Sequence, residues 1–335
     1  ARRDWMIVDP TEGVIEGGES ADFTMTFDAT DLPTVQFDGE LVFIHDGVGG
    51  ETIIPLTLNV VDGPIHTVRT LALHRNWNMV SVYLEPDEEN VEVLTAALVE
   101  QGLLILMKDG AGNFYIPDED FNNIEGWDVA EGYLLKLSDL GQLTIEGTTV
   151  MSDDPLDLEE GWQMISCYLR FPVNAATAFS GIADRMTIVK NESGSFYIPE
   201  FDFNGMGDVV PLFGYYLKMT EAAELIYRIQ LDEGGDEVAS LGYPFDAGRL
   251  GGHASTGSNM SLLLLFDDDM EGDLGVYSDG VLVGSTVLSG VKAGLAIWGD
   301  DITTEAVDGA LAGTALELRF YDGVNFHDLD YRTIR

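Results

Sequence analysis

Two short acidic strings stand out for their spacing. Asp118-x-Asp120-x-Asn122 recurs as Glu200-x-Asp202-x-Asn204, each directly after a Phe-Tyr-Ile-Pro segment. Oxygen ligands at alternate positions of a curving loop suit a Ca2+ ion, because the backbone can aim them at one point about 2.3–2.6 Å away. Neither copy carries the glycine and terminal glutamate of a full EF-hand loop. The competing reading is an acidic turn whose Asx side chains bond nearby amides while Phe121 and Phe203 pack inward. A third string, Asp267-Asp268-Asp269-x-Glu271-x-Asp273, and the later Asp300-Asp301 gather carboxylates that repel one another unless salt or a cation screens them. The expected Ca2+ ligands are therefore Asp118, Asp120, Asn122, Glu200, Asp202, Asn204, Asp267, Asp269, Glu271 and Asp273, against a solvated loop as the alternative at the third string.

Catalytic motifs are not found. The chain has no G-x-S-x-G, H-E-x-x-H, Walker or dinucleotide string, and its five histidines (45, 66, 74, 253, 327) lack metal-ligand spacing. A glycosidase carboxylate pair has no signature that 59 acids would not supply by accident. Cys167 is the one cysteine, so no intrachain disulfide forms; its repeat counterpart is Val82, which predicts a small buried apolar residue.

With 16 basic and 59 acidic residues the chain carries a net charge of −43, a field that repels nucleic-acid phosphates and anionic lipid. Since 45% of its residues are apolar, the acidity is a solvated skin on folded domains, set by salinity or by divalent cations outside the cell. The longest apolar runs, Leu103 to Met107 and Leu262 to Phe266, are too short to span a bilayer, so no membrane insertion is expected.

The elements that would position these residues come from a duplication. Lys108 to Asn122 reads K-D-G-A-G-N-F-Y-I-P-x-x-D-F-N, and Lys190 to Asn204 reads K-N-E-S-G-S-F-Y-I-P-x-x-D-F-N. Both copies open on W-x-M-[VI]-S-x-Y-L (Trp77, Trp162) and close on G-Y-x-L-K (Lys136, Lys218), so four of the five lysines form two matched pairs. The lysines could contact an anion or a glycan; otherwise their stems cover apolar surface while the ammonium groups meet carboxylates alike in both copies. Tyr115, Trp127, Tyr133, Tyr197 and Tyr215 could form a sugar-stacking face or fill a core. Each copy predicts a first strand, one short helix and a hairpin. The first helix has Val91, Leu94, Ala97 and Leu98 on its inner face; the second is capped by Asn174, with Ala175, Ala178, Phe179 and Ile182 inward. Three residues are lost between Trp and Lys in the second copy, in the helix or its flanks.

The predicted fold is mainly β and multidomain: an immunoglobulin-like sandwich at 1–63, homologous modules at 66–150 and 154–230, and a C-terminal β-sandwich at 236–335 built of strands of five to eight residues. The string from Trp5 through W-M-I-V-D-P-T-E-G-V-I-E-G-G-E-S to I-P-L-T-L-N-V, with turns at Gly17-Gly18 and elsewhere, resembles the Hydin-type immunoglobulin-like domains of secreted bacterial proteins. The two modules resemble repeats that begin "GWN-[LM]-[IV]-S" and close "GY-x-[VL]-K" in surface-anchored or secreted bacterial proteins. G-V-Y-S-D-G-V-L-V-G-S followed by A-I-W-G-D-D looks like a C-terminal module of such proteins. Hydin-type domains carry one or two strands before the Trp, whereas Trp5 stands almost at the chain start, as in a processed or trimmed chain. The sandwich is therefore expected either to accept a strand from a neighbouring chain or to be truncated. The resemblances imply β-rich extracellular modules; with tandem β modules, no catalytic motif, the acidic skin and an incomplete first sandwich, the expectation is an extracellular, non-enzymatic structural protein, a subunit of a surface filament, appendage or layer that partners copies of itself. The alternative is an adhesin or carbohydrate-binding region with a glycan or cell-surface ligand.

Overall fold

The computed structural model describes residues 6–15, 20–27, 29, 36–47, 50–59, 63–228, 250, 253, 256–301, 303–304 and 306–329. Trp5, the Gly17-Gly18 turn and the start of the C-terminal segment at 236–249 lie outside them. The protein is mainly β, and the chain divides into one unit at 1–65 and another at 66–335. No helix among the described residues is long and apolar enough to cross a membrane.

The first unit contains two antiparallel ladders. Strand β1 (Met6–Asp9) pairs with β2 (Thr24–Phe27), and β3 (Gln36–Ile44) pairs with β4 (Glu51–Asn59). The ladders touch through an edge-on Phe23–Phe43 contact, 4.9 Å between ring centroids. Period-two alternation is present in β1 and in the later part of β3, yet among residues 6–15, 20–27, 29, 38–47 and 50–58 none is buried. Ile7, Val42, Ile44, Ile53 and Ile54 remain exposed, an arrangement that leaves apolar surface in water instead of closing a core.

In the second unit, module one runs β5 (His66–Leu73), β6 (Asn76–Val80), β7 (Leu84–Pro86), α1 (Val91–Leu94), α2 (Ala96–Glu100), β8 (Leu104–Lys108), β9 (Phe114–Ile116), β10 (Phe121–Asn122), β11 (Tyr133–Leu137) and β12 (Gly141–Thr149). Module two runs β13 (Leu156–Leu158), β14 (Gly161–Ile165), β15 (Val173–Asn174), α3 (Ala175–Ala178), β16 (Met186–Lys190), β17 (Phe196–Ile198), β18 (Phe203–Asn204), β19 (Asp208–Val209), β20 (Tyr215–Met219) and β21 (Ala223–Leu225). The main sheets share one order, β10-β9-β8-β11-β6 and β18-β17-β16-β20-β14.

The duplicated signatures have local causes. The motif tyrosines Tyr133 and Tyr215 are buried, and each hydroxyl accepts an amide five residues upstream, from Asp128 at 2.7 Å and Val210 at 2.6 Å. Asn174 caps α3 by accepting from Ala176 N, and Ala175, Ala178, Phe179 and Ile182 are all buried. Module one departs from the single predicted helix. Thr95 leaves helical geometry, bonds its hydroxyl to Val91 O and splits the segment into α1 and α2, which turns Thr95 inward and leaves Ala97 exposed. The shortening of the second copy falls in this helical region.

The copies interlock about a pseudo-two-fold axis. Val80 bridges Phe213, and their repeat equivalents Ile165 and Glu131 bridge each other. Ser81 N donates to Leu212 O and Ser166 N to Ala130 O; Gly214 N donates to Met79 O and Gly132 N to Met164 O. This reciprocity is that of an isologous homodimer held within one chain. At the crossing a Cβ on Gly132 would sit 3.0 Å from Ile165 O and 3.3 Å from Gly214 Cα, and one on Gly214 would sit 3.0 Å from Val80 O and 3.3 Å from Gly132 Cα. One apolar core then runs through both modules, from Leu71 and Trp127 to Tyr215 and Tyr227, with Cys167 fully buried as predicted.

The C-terminal strands are β22 (Asn259–Ser278), β23 (Val281–Trp298), β24 (Leu316–Tyr321) and β25 (Phe326–Asp328), in one sheet ordered β23-β22-β24-β25. The first two contain 20 and 18 residues, where the sequence predicts strands of five to eight. M-S-L-L-L-L-F and D-L-G-V-Y-S are one strand because the intervening acids form a ladder irregularity between Leu265 and Met270 rather than a loop. Asp279-Gly280 closes the hairpin with φ of 48° and 81°, both positive as a type I′ turn requires. Gly294 lets β23 approach module two: a Cβ there would meet the rings of Phe196 and Phe203 at 2.7 Å.

Gly132→Ala and Gly214→Ala are each expected to lower the unfolding free energy by about 1–3 kcal/mol, as overpacked backbone crossings do. Gly181→Ala, whose Cβ would meet only Arg228 Nε at 3.6 Å, is expected to change it by less than about 0.5 kcal/mol. Urea unfolding of the three variants measures the difference; equal midpoints would mean the crossing tolerates side chains.

Candidate functional site

Cross-strand register places the matched lysines on the motif tryptophans. Trp77 on β6 lies opposite Lys136 on β11, and Trp162 on β14 lies opposite Lys218 on β20. The second lysine of each pair approaches from the next strand: Lys108 lies 5.2 Å from the Trp77 ring centroid and Lys190 5.2 Å from that of Trp162. Lys136 and Lys218 stand 5.5 and 5.8 Å from the same rings. Each module thus presents an indole between two ammonium groups, on the sheet face turned away from the shared core. A small cluster of Trp77, Met79, Leu106, Leu134 and Met164, with Tyr216 packed against it, joins the two faces.

The environments of the two indoles differ. Trp77 is 4% exposed because C-terminal residues cover it: Asp301 Oδ2 accepts from Trp77 Nε1 at 3.0 Å and pairs with Lys136 Nζ at 2.7 Å. Thr303 bonds both Lys136 and Asp301, and Gly257 lies so close to the indole that a Cβ would meet it at 2.6 Å. Burial pushes the Asp301 carboxyl up, but the bonds from Lys136, Thr303 and Trp77 outweigh it and its pKa ends below the ordinary value. Burial lowers the Lys108 pKa, and Asp301 opposes that shift. A cavity of about 140 Å3 opens beside the pair, lined by Asn76, His253, Thr256, Thr304 and Asp308 as well as Lys136 and Asp301.

In module two, Trp162 is 46% exposed and packs 5.2 Å from Tyr216. Lys190 donates to Asn259 O and Oδ1, and burial lowers its pKa to about 8. No described carboxylate lies within ion-pairing distance of Lys218. The expectation that the lysines meet carboxylates alike in both copies is therefore corrected: what is shared is the indole, and among the described residues only module one's pair receives an acid.

The modules are also joined by His74, whose Nε2 lies 2.6 Å from Glu192 Oε1, while Glu192 Oε2 accepts from Met79 N at 2.6 Å. The bond to Glu192 raises the His74 pKa to about 8, against the effect of burial.

The predicted ligand strings adopt turn geometry. Pro117–Glu119 and Pro199–Phe201 are single 3-10 turns, and Asp120 and Asp202 end them in the left-handed region that Asp tolerates, with φ of 49° and 46°. Asn122 accepts from Ile124 N and donates to Glu92; Asn204 accepts from Met206 N and Gly207 N and donates to Gly207 O. Asp118, Asp120, Glu200 and Asp202 are exposed, and Phe121 points to solvent instead of inward, while Phe203 packs on Phe196. Within β22, Asp267, Asp269 and Glu271 are exposed whereas Asp273, in register with Tyr321 of the neighbouring β24, is buried, so the string is spread along a strand. None of these residues joins the one group of three acidic or imidazole ligand atoms brought within 4.8 Å among the described residues, His66, Asp87 and Glu146. That exposed group is held by a 2.7 Å His66–Asp87 pair, which raises the His66 pKa. Tyr115, Trp127, Tyr133, Tyr197 and Tyr215 are buried as core rather than set out as a stacking face. Trp77, Trp162 and Tyr216 form the exposed or capped aromatic surface, and the W-x-M opening opposite the closing lysine is the sequence signal that could have found it.

No protein-family model matches the chain, and neither a curated protein nor a solved structure matches it.

Two outcomes follow from this geometry. Lys136→Met, which strands the buried Asp301, is expected to destabilise the fold by about 3–5 kcal/mol, and Lys218→Met, at the half-buried equivalent that meets no described carboxylate, by less than about 1 kcal/mol; similar losses in urea unfolding would refute the assigned asymmetry. Protonated His74 favours the folded state, so its contribution is complete below pH 6.5 and lost as pH rises through 8. Lys190 acts in the opposite sense, and only above pH 8, where the unfolded chain holds that proton more tightly. Between pH 6.5 and 8 the melting temperature should fall more for the native chain than for His74→Gln.

Proposed function

We propose that the chain is an extracellular structural protein, a subunit of a surface filament, appendage or layer that assembles with copies of itself. The observation carrying this reading is the first unit: two ladders in separate sheets, exposed Ile and Val side chains, and no buried side chain among those whose burial is described. Such a unit gains most from a further strand that pairs an open edge and covers the apolar face. The second unit supplies the opposite property, a duplicated module locked to itself by reciprocal backbone bonds and a continuous core. A closed block and a unit with open ladder edges in one chain is the division of labour expected of an assembling subunit. The acid-rich surface keeps such blocks apart except where specific contacts form.

The alternative reading, an adhesin or carbohydrate-binding region, draws on exposed Trp162 beside Tyr216, since paired aromatic faces suit sugar stacking. A glycan held there with micromolar affinity or better would favour it.

Negative-stain images and light scattering of the full chain should show polymers whose abundance rises with protein concentration. Ile44→Lys, at a side chain 86% exposed, should reduce them severalfold while leaving the melting temperature of the second unit unchanged. A chain that stays monomeric at every concentration, with the first unit closed and cooperative, would overturn the strand-accepting reading.

A further inference from the structure

The C-terminal segment docks asymmetrically on a block that is itself nearly two-fold symmetric. It covers Trp77 and Lys136 of module one together with Lys190, Phe196 and Phe203 of module two. The pseudo-two-fold operation that exchanges the modules generates a second face of the same kind: Trp162 and Lys218 of module two with Lys108, Phe114 and Phe121 of module one. That second face is uncovered at three aromatic positions, since Trp162 is 46%, Phe114 39% and Phe121 46% exposed, whereas Phe196, the equivalent of Phe114, is fully buried.

The occupied face shows which chemistry this surface takes. An aspartate, Asp301, accepts from the indole Nε1 and from the lysine opposite it in the ladder, and a hydroxyl two residues on, Thr303, bonds the same ammonium group. On the free face Trp162 and Lys218 hold the same cross-strand relation, 5.8 Å from ammonium to ring, and no described carboxylate reaches Lys218. We propose that Trp162 and Lys218 form a docking site for a carboxylate-bearing loop of a second copy of this chain.

Charge decides the occupant. With 59 acids against 16 bases, almost any loop of another copy offers carboxylates, and this face sets Lys218 beside the half-exposed Trp162 ring. It is therefore complementary to the rest of the same molecule, a head-to-tail contact of the kind that extends into filaments. The proposal rests on the reading of the chain as a self-assembling subunit and names a contact separate from the strand-accepting first unit.

The test uses the full chain and, as probe, a fluorescent peptide of residues 298–306, which carries Asp301 and Thr303. Because the chain's own Asp301 fills the module-one site, anisotropy should report one saturable site, weakened by salt. Trp162→Ala and Lys218→Gln should each weaken it by at least about tenfold, with both variants still unfolding cooperatively, and a peptide bearing Asp301→Asn should not bind. Sedimentation velocity should show self-association reduced by Lys218→Gln. No peptide binding, or binding indifferent to both variants, overturns the site. Peptide binding without Lys218-dependent self-association overturns the second copy as occupant, and polyuronate binding through Trp162 in place of the peptide assigns the face to a glycan instead. Polymers lost in Ile44→Lys but intact in Lys218→Gln would sink this contact and leave the structural role standing; a chain that never polymerises yet binds the peptide would do the reverse.

Discussion

The second unit depends on a backbone crossing with no room for a side chain. Gly132 and Gly214 meet at the pseudo-two-fold axis, where each would drive a Cβ into the other's Cα and into a carbonyl of the opposite module. That close approach lets Gly132 N and Gly214 N reach Met164 O and Met79 O, and it brings the serine and bridge pairs on either side into register. Those bonds satisfy polar groups that the merging of two cores would otherwise bury unpaired. The shared core matters most to module two, whose remaining layer is small: its second sheet has strands of only three residues.

Symmetry at the axis is imperfect, and the imperfections carry information. Ser81 bonds Phe213 O through its hydroxyl and also accepts from Cys167 N, whereas the equivalent Ser166 hydroxyl is buried with no partner. His74 and Glu192 bind across the modules on one side, yet their repeat equivalents are Glu159 and Gly110, which cannot make that pair. Duplicated modules within one chain are free to diverge in this way, as identical subunits are not. The C-terminal segment then fixes the asymmetry by choosing one of two faces.

Much of this was legible from residues alone. The duplication, its strand openings, the buried Cys167 and the Asn174 cap are local or pairwise features, and spacing reports them directly. The Asp-Gly hairpin was readable for the same reason, since positive φ at both positions is a property of the dipeptide. What escaped was whatever depends on partners distant in the chain. Phe121 and Phe203 occupy the same motif position, yet one is exposed and the other packed, because only the second meets β23 at Gly294. Alternate carboxylates at 118 and 120 look like ligands in a string. In three dimensions the second is the left-handed stop of a 3-10 turn, and Asn122 spends its side-chain amide on Ile124 N and Glu92.

The lysines make the same point about function. In a chain so short of bases, two pairs at fixed repeat positions suggest selection for a ligand, but their nearest shared neighbour in both modules is tryptophan. An ammonium group over an indole is stabilised without a counter-ion, so the pair persists whether or not an acid arrives. Where one does arrive, as Asp301 does, the indole supplies a second donor and shields the ion pair from water. The motif is thus a carboxylate receptor that stands intact when empty, and duplication has left one receptor used inside the chain and its equivalent facing outward.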